Sequence, residues 1–217
     1  MRFLKGLSVA LAAISFSGIA SAGVIFNTGN IPQVDSAILF NCPTICSNGS
    51  ALPGTPVVGH LQQVVPDTAV DFVSQEAIQV VGPGYNAVSG ASSTVGFDDL
   101  AISVPGQTFT SIIFDLTLLA SATDGTVTFT AKTVSGGPFV SSAFFDSHTG
   151  QNYFTVTTNS GTQITELDIL STQFQDNASQ VRIGGVSNTT IVPEPASYGL
   201  AGFALLGLAF LRRRHAA

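Results

Sequence analysis

Charge is what this chain of 217 residues lacks most: Asp, Glu, Lys and Arg make up only 9% of it, against roughly a quarter in soluble domains. Disorder is not the explanation. Disordered chains are short of hydrophobic residues as well, and this one is 45% hydrophobic, enough to bury a core. Cations are the scarcest charge. Of seven Lys and Arg, two stand near the start and three in a cluster near the end, which leaves Lys132 and Arg182 for the body. Between Gly23 and Val192 those two cations face ten Asp and two Glu, a net of −10. Neutralising a phosphate backbone needs Lys and Arg, so nucleic-acid binding is excluded. There is no Trp, and there are one Met, two Cys and three His.

The motifs of common enzymes are also missing. His60, His148 and His215 have no G-x-S-x-G nucleophile elbow to serve. No D-x-D-x-D-G loop occurs, so Asp98, Asp99 or Asp146 offers at most an irregular oxygen site for Ca²⁺. A glycosidase needs two facing carboxylates. Asp98 and Asp99 are adjacent, so a regular strand sends them to opposite faces. Nothing in the sequence sets Glu76 against Glu166. The body is therefore expected to be non-catalytic and to need no cofactor. The alternative is a secreted carbohydrate-active hydrolase with an unrecognised site. Tyr85 or Tyr153 on a concave face with Asn or Asp neighbours favours binding, and a deep cleft with paired carboxylates favours hydrolysis.

What is present is alternation. In TFTSIIFDLTLL, Ile112, Phe114, Leu116 and Leu118 point one way and Asp115 and Thr117 the other. GTVTFTAKTV and QNYFTVTT repeat the pattern with Thr on the outer face. This is the period of half-buried strands. Further strands are expected at 24–27, 37–40, 57–65, 69–73, 77–81, 95–104, 139–145, 164–170 and 181–186. Gly82-Pro83-Gly84, Pro105-Gly106, Gly136-Gly137-Pro138 and Asn159-Ser160-Gly161 mark turns. Asp124-Gly125, lying between alternating runs, reads as a hairpin. About ten strands without intervening helices predict an all-β body over 23–190, a single antiparallel β-sandwich of jelly-roll type. Leu52-Pro53-Gly54-Thr55-Pro56 looks like a sortase LPxTG signal, but it ends in Pro and stands far from any apolar tail. It reads as a loop.

Both ends read as addresses. Arg2 and Lys5 precede an apolar stretch, and Ala20-Ser21-Ala22 supplies an A-x-A site. Residues 1–22 are a secretory signal peptide on this pattern, cut by signal peptidase after Ala22 to leave Gly23. An exported chain meets an oxidising compartment, so Cys42 and Cys46 are expected to bond to each other. So small a loop adds roughly 2 kcal/mol. A redox site is more usually Cys-x-x-Cys, and a zinc site has only His60 as a near third ligand.

At the other end, Val192-Pro193-Glu194-Pro195 is followed by an uncharged run over 197–211 and then by Arg212, Arg213 and Arg214. As a helix the run spans about 22 Å, marginal against roughly 30 Å of hydrocarbon. The arginines hold the cytoplasmic side, and the prolines keep the preceding segment extended. The order of the three parts resembles the PEP-CTERM sorting signal of exported Gram-negative proteins. The resemblance covers about the last 26 residues and implies nothing about the body's activity. It implies transient anchoring in the inner membrane and processing near Pro193, Glu194 and Pro195. The enzyme is an exosortase, a membrane cysteine transpeptidase-like protein. Independently of that signal, the first expectation for the body is a non-catalytic envelope or matrix protein that binds exopolysaccharide with a sandwich face.

Overall fold

Strands are the regular structure of the described residues in the computed structural model. Those residues are 23–40, 50–62, 68–81, 87–92, 96–120, 122–134, 137–145, 152–159 and 161–188. The signal peptide, both cysteines, Tyr85, Asp146, His148 and the whole sorting tail lie outside them. Among the described residues no helix is long and apolar enough to cross a membrane.

The fold is organised by one strand, β14 (Ile164–Gly184), 21 residues long. Its first half lies between β11 (Gly125–Thr133) and β8 (Phe97–Ser103). Its second half lies between β10 (Ser111–Leu118) on one side and β7 (Ala87–Gly90) and β2 (Ser36–Leu39) on the other. From β2 the sheet runs through β4 (Val57–Leu61) and β5 (Ala69–Val73) to β8, and β8 pairs with β14 again. Five strands therefore close a circuit, and no edge is left between them. Two flaps extend beyond the circuit. One adds β13 (Asn152–Asn159) and then β1 (Gly23–Thr28) to β10, and the other adds β12 (Phe139–Phe145) to β11.

The flaps are pressed together by aromatic side chains. Phe129 of β11 lies 6.2 Å from Phe26, 5.7 Å from Phe114 and 4.8 Å from Phe154, centroid to centroid. These offset and edge contacts are the favourable arrangements of aromatic pairs. The rest of the core, with Phe40, Phe72, Phe97 and Phe109 fully buried, fills the circuit. A short branch joins β3 (Ser50–Ala51) and β6 (Ile78–Val81) to β7. Separately, β9 (Gln107–Thr108) pairs with β15 (Ser187–Asn188).

The class is all-β and antiparallel, as expected, but its layers are one continuous sheet of 13 strands folded on itself. Three local expectations are corrected. Asp124-Gly125 does not make a hairpin. The chain there leaves β10, beside the second half of β14, and enters β11, beside the first half. The two strands expected at 164–170 and 181–186 are one strand, because pairing on both edges carries the polar stretch between them. Asp115 points away from the core, yet it is only 3% exposed. The segment after β1 lies over that face, with Ile31 N–H donating to Thr155 Oγ1 at 3.0 Å. The expected loop at Leu52-Pro53-Gly54 is a turn, closed by Thr55 N–H donating to the Leu52 carbonyl at 2.9 Å.

Candidate functional site

Alternation along β13 sends Phe154 and Val156 to the core and Tyr153 and Thr155 to the opposite face. Thr155 is covered there by the strap from β1 to β2, its hydroxyl donating to the Gly29 carbonyl at 2.7 Å. Tyr153, at the margin of the strap, donates its hydroxyl to Gln180 Oε1 at 2.5 Å. Gln180 sits in a β-bulge: the register of β10 and β14 shifts between Ile113 and Asp115, so Gln180 and Val181 together oppose Phe114. Its φ of 51° is left-handed, a conformation that costs a residue with a Cβ about 1–2 kcal/mol. The bulge aims Gln180 at Tyr153. One turn of the pleat further on, Arg182 Nη2 donates to Asn30 Oδ1 at 2.6 Å, tying the strap to β14.

Two depressions adjoin these pairs. One, about 230 Å³, is lined by Tyr153, Asn152, Thr28 and Phe144, and Phe144 is 68% exposed. The other, about 290 Å³, is lined by Asn30, Gln180, Arg182 and Leu39. Burial and then the nearby Asp115 charge push the Tyr153 phenol up, so at neutral pH it is a hydrogen-bond donor. Burial also pushes the Asp115 carboxyl up, opposed by Asn152 N–H donating to Oδ1 at 2.7 Å. The face thus carries two aromatic rings, three amides and one guanidinium.

A second polar cluster lies at the start of β8. Glu76, Asp98 and Asp99 bring one carboxylate oxygen each to within 4.8 Å of one another. Adjacent residues do this because alternation slips here. Phe97 and Leu100 are both buried, so Asp98 and Asp99 both lie outside. The register against β14 jumps at that point, from Asp99↔Leu170 to Phe97↔Gln175. The expectation of opposite faces fails for this reason. Ser74 Oγ lies 3.0 Å from both Glu76 Oε2 and Asp99 Oδ1, and Gln75 N–H donates to Asp99 Oδ1 at 2.8 Å. Burial first, and then Asp99 and the charge of Asp98, push the Glu76 carboxyl up. Such oxygens suit a hard cation. They stand closer together than the roughly 5–9.5 Å between glycosidase carboxylates, and none of the three lines a cleft described here. Glu166 is engaged elsewhere, in an ion pair with Lys132, which also reaches Asp168 at 2.9 Å. His60 lies on β4 as expected, opposite Leu39 and Ala69. Sequence reasoning singled out Tyr153, Asp98, Asp99 and Glu76, but it missed Asn30, Phe144, Gln180 and Arg182.

A further cavity, about 560 Å³, opens beside β15 and is lined by Asp35, Thr68, Gln107, Gly185, Ser187 and Asn188 among others. From Asn188 the chain continues into the tail, and the tail defines the class of protein. Residues 192–214 match the PEP-CTERM protein-sorting motif, which takes in Pro193, Glu194, Pro195 and the three arginines. The chain thus carries a PEP-CTERM sorting motif, and the motif implies export, passage through a membrane-anchored stage and handling by an exosortase. No curated protein matches the chain. Among solved structures it is similar to a family 11 carbohydrate-binding module from Clostridium thermocellum in complex with a β-1,3-1,4-mixed-linked tetrasaccharide. The two share 12% identity over 71% of this chain and 98% of that one, with a TM-score of 0.27. A superposition that loose carries no argument about ligand.

Proposed function

We propose that this is a cell-envelope or extracellular-matrix protein whose body is a non-catalytic module that binds exopolysaccharide through the Tyr153 face. The observation that carries the binding reading is the grouping of Tyr153 and Phe144 with Asn30, Asn152, Gln180 and Arg182 around two adjoining depressions. A sugar ring offers a C–H face, which stacks on an aromatic ring, and an edge of hydroxyls, which pair with planar amides and guanidinium. A net charge of −10 on the body favours a neutral glycan over a polyanion. Signal peptidase removes residues 1–22 in this reading, Cys42 and Cys46 pair after export, and the tail anchors the chain in the inner membrane of a Gram-negative cell until an exosortase acts. The processed body then reaches the cell surface or the medium.

One observation favours the alternative of a secreted hydrolase. Glu76, whose carboxyl is pushed up by burial and then by Asp99 and the charge of Asp98, has the leaning of a general acid. Calorimetric titration of the exported protein with exopolysaccharide from its own host tests both. Tyr153→Ala and Arg182→Ala should each weaken binding about tenfold, the loss of an interface anchor. Wild-type affinity in both variants overturns the binding reading. Release of reducing ends that disappears in Glu76→Gln establishes the hydrolase instead.

A further inference from the structure

The chain is held firmly just before it enters the sorting motif. Ser187 and Asn188 pair with Thr108 and Gln107 in a ribbon separate from the main sheet. Two residues of strand do not hold by themselves, and here three polar side chains hold them. Thr108 Oγ1 lies 3.1 Å from Gln163 Oε1, 3.2 Å from the Ser187 carbonyl and 3.1 Å from Ser187 Oγ. Gln163 Nε2 donates to Ser187 Oγ at 3.2 Å, closing the triangle. Thr108 is fully buried. Just upstream the strand passes through a tight gap, since a Cβ on Gly184 would stand 2.3 Å from the Val34 carbonyl oxygen.

The clamp has a geometric consequence for the tail. Pro193 is five residues beyond Asn188. A fully extended chain covers at most about 3.6 Å per residue, so Pro193 stays within roughly 18 Å of the clamp while the ribbon is paired. The enzyme that cuts there is embedded in the membrane and needs an extended segment in its own site. Such a site needs clearance around the segment, and a body tethered within about 18 Å of it limits that clearance. We propose that Thr108, Gln163 and Ser187 are positioning residues for tail processing. They hold Ser187 and Asn188, which lead into the sorting motif, and opening of the β9–β15 ribbon is the step that gives the motif the reach the exosortase needs. Opening frees the chain back to Gly185 and adds about 10 Å of reach. It breaks only one short ribbon, the kind of local opening that precedes global unfolding. The inference rests on exosortase sorting of this tail.

Pulse-chase of the full chain in a host with an exosortase tests it. A Gly-Ser spacer of about ten residues between Asn188 and Thr189 supplies reach without touching the fold. It should speed loss of the tail several-fold and leave the thermal midpoint of the released body unchanged. Thr108→Val, which keeps the shape and removes the hydroxyl, should raise the opened fraction and the processing rate about tenfold, and Thr108→Ser should restore the wild-type rate. A spacer variant that is processed no faster than wild type, or more slowly, overturns the clamp. Glu194→Ala in the spacer background separates the two readings. If processing is indifferent to Glu194, the sorting reading itself fails, whatever the spacer does.

Discussion

Phe129 is the side chain on which the two flaps depend, and its removal has a calculable effect. It is 2% exposed and touches three rings from three strands, Phe26 on β1, Phe114 on β10 and Phe154 on β13. Truncating a buried Phe to Ala costs about 3–5 kcal/mol through lost burial and the cavity left behind. Within that sum, each aromatic pair accounts for roughly 0.5–1.5 kcal/mol. A domain of this size holds about 5–15 kcal/mol in all, so Phe129→Ala removes a large share of it. The midpoint moves about 2–4 °C per kcal/mol at this length, which puts the expected drop near 10 °C. Phe129→Leu keeps most of the apolar volume and should lose only about 1–2 kcal/mol. Phe144→Ala, at a site 68% exposed, is the control, expected to stay within about 0.5 kcal/mol. Scanning calorimetry of the three exported variants reads all of this. If Phe129→Ala moves the midpoint no further than Phe144→Ala does, the flaps are not packed through Phe129 and the account of the core is wrong.

Glu76 gives a pH test. Its carboxyl is raised above the ordinary 4.5 by burial and by Asp99 and Asp98, so the folded state holds its proton more tightly than the unfolded chain does. Stability on this account falls as pH rises from the ordinary glutamate range through the raised value. Glu76→Gln should raise the urea midpoint at pH 7 and give no comparable gain at pH 4. An equal effect at both pH values would mean that charge is not the cause. At the N-terminus, sequencing of the exported protein should begin at Gly23, the first residue of β1. A mature chain that retains Arg2 and Lys5 would defeat the signal-peptide reading.

Strand positions were legible wherever one face is buried and the other wet. The expected spans 69–73 and 139–145 match β5 and β12 at both ends, because period-two alternation survives along their whole length. β7 was missed because all four of its residues are buried, which removes the alternation. β14 was seen only as its two ends. Gln175, Asp176 and Asn177 give no strand signal of their own, and the strand continues through them because β10 and β7 pair with it on either side. Pairing partners were out of reach for the same reason. The Asp124-Gly125 signal describes a local turn chemistry, and nothing local says that β10 and β11 follow one another along β14 instead of pairing with each other.

The candidate sites follow from where alternation breaks. Tyr153 could be named from sequence because it lies on a regular strand. Its partner Gln180 could not, since it is placed by a bulge that reverses the count of faces. Asp98 and Asp99 were assigned to opposite faces by a rule that holds for a regular strand, and they share a face because the register slips beside them. Asn30 and Arg182 are 152 positions apart and meet only because the strap crosses the sheet between β1 and β2. Bulges aim side chains that a regular pleat would turn elsewhere. The irregular strand positions in this chain are therefore the ones that gather its polar groups, and a periodic reading is least reliable at those positions.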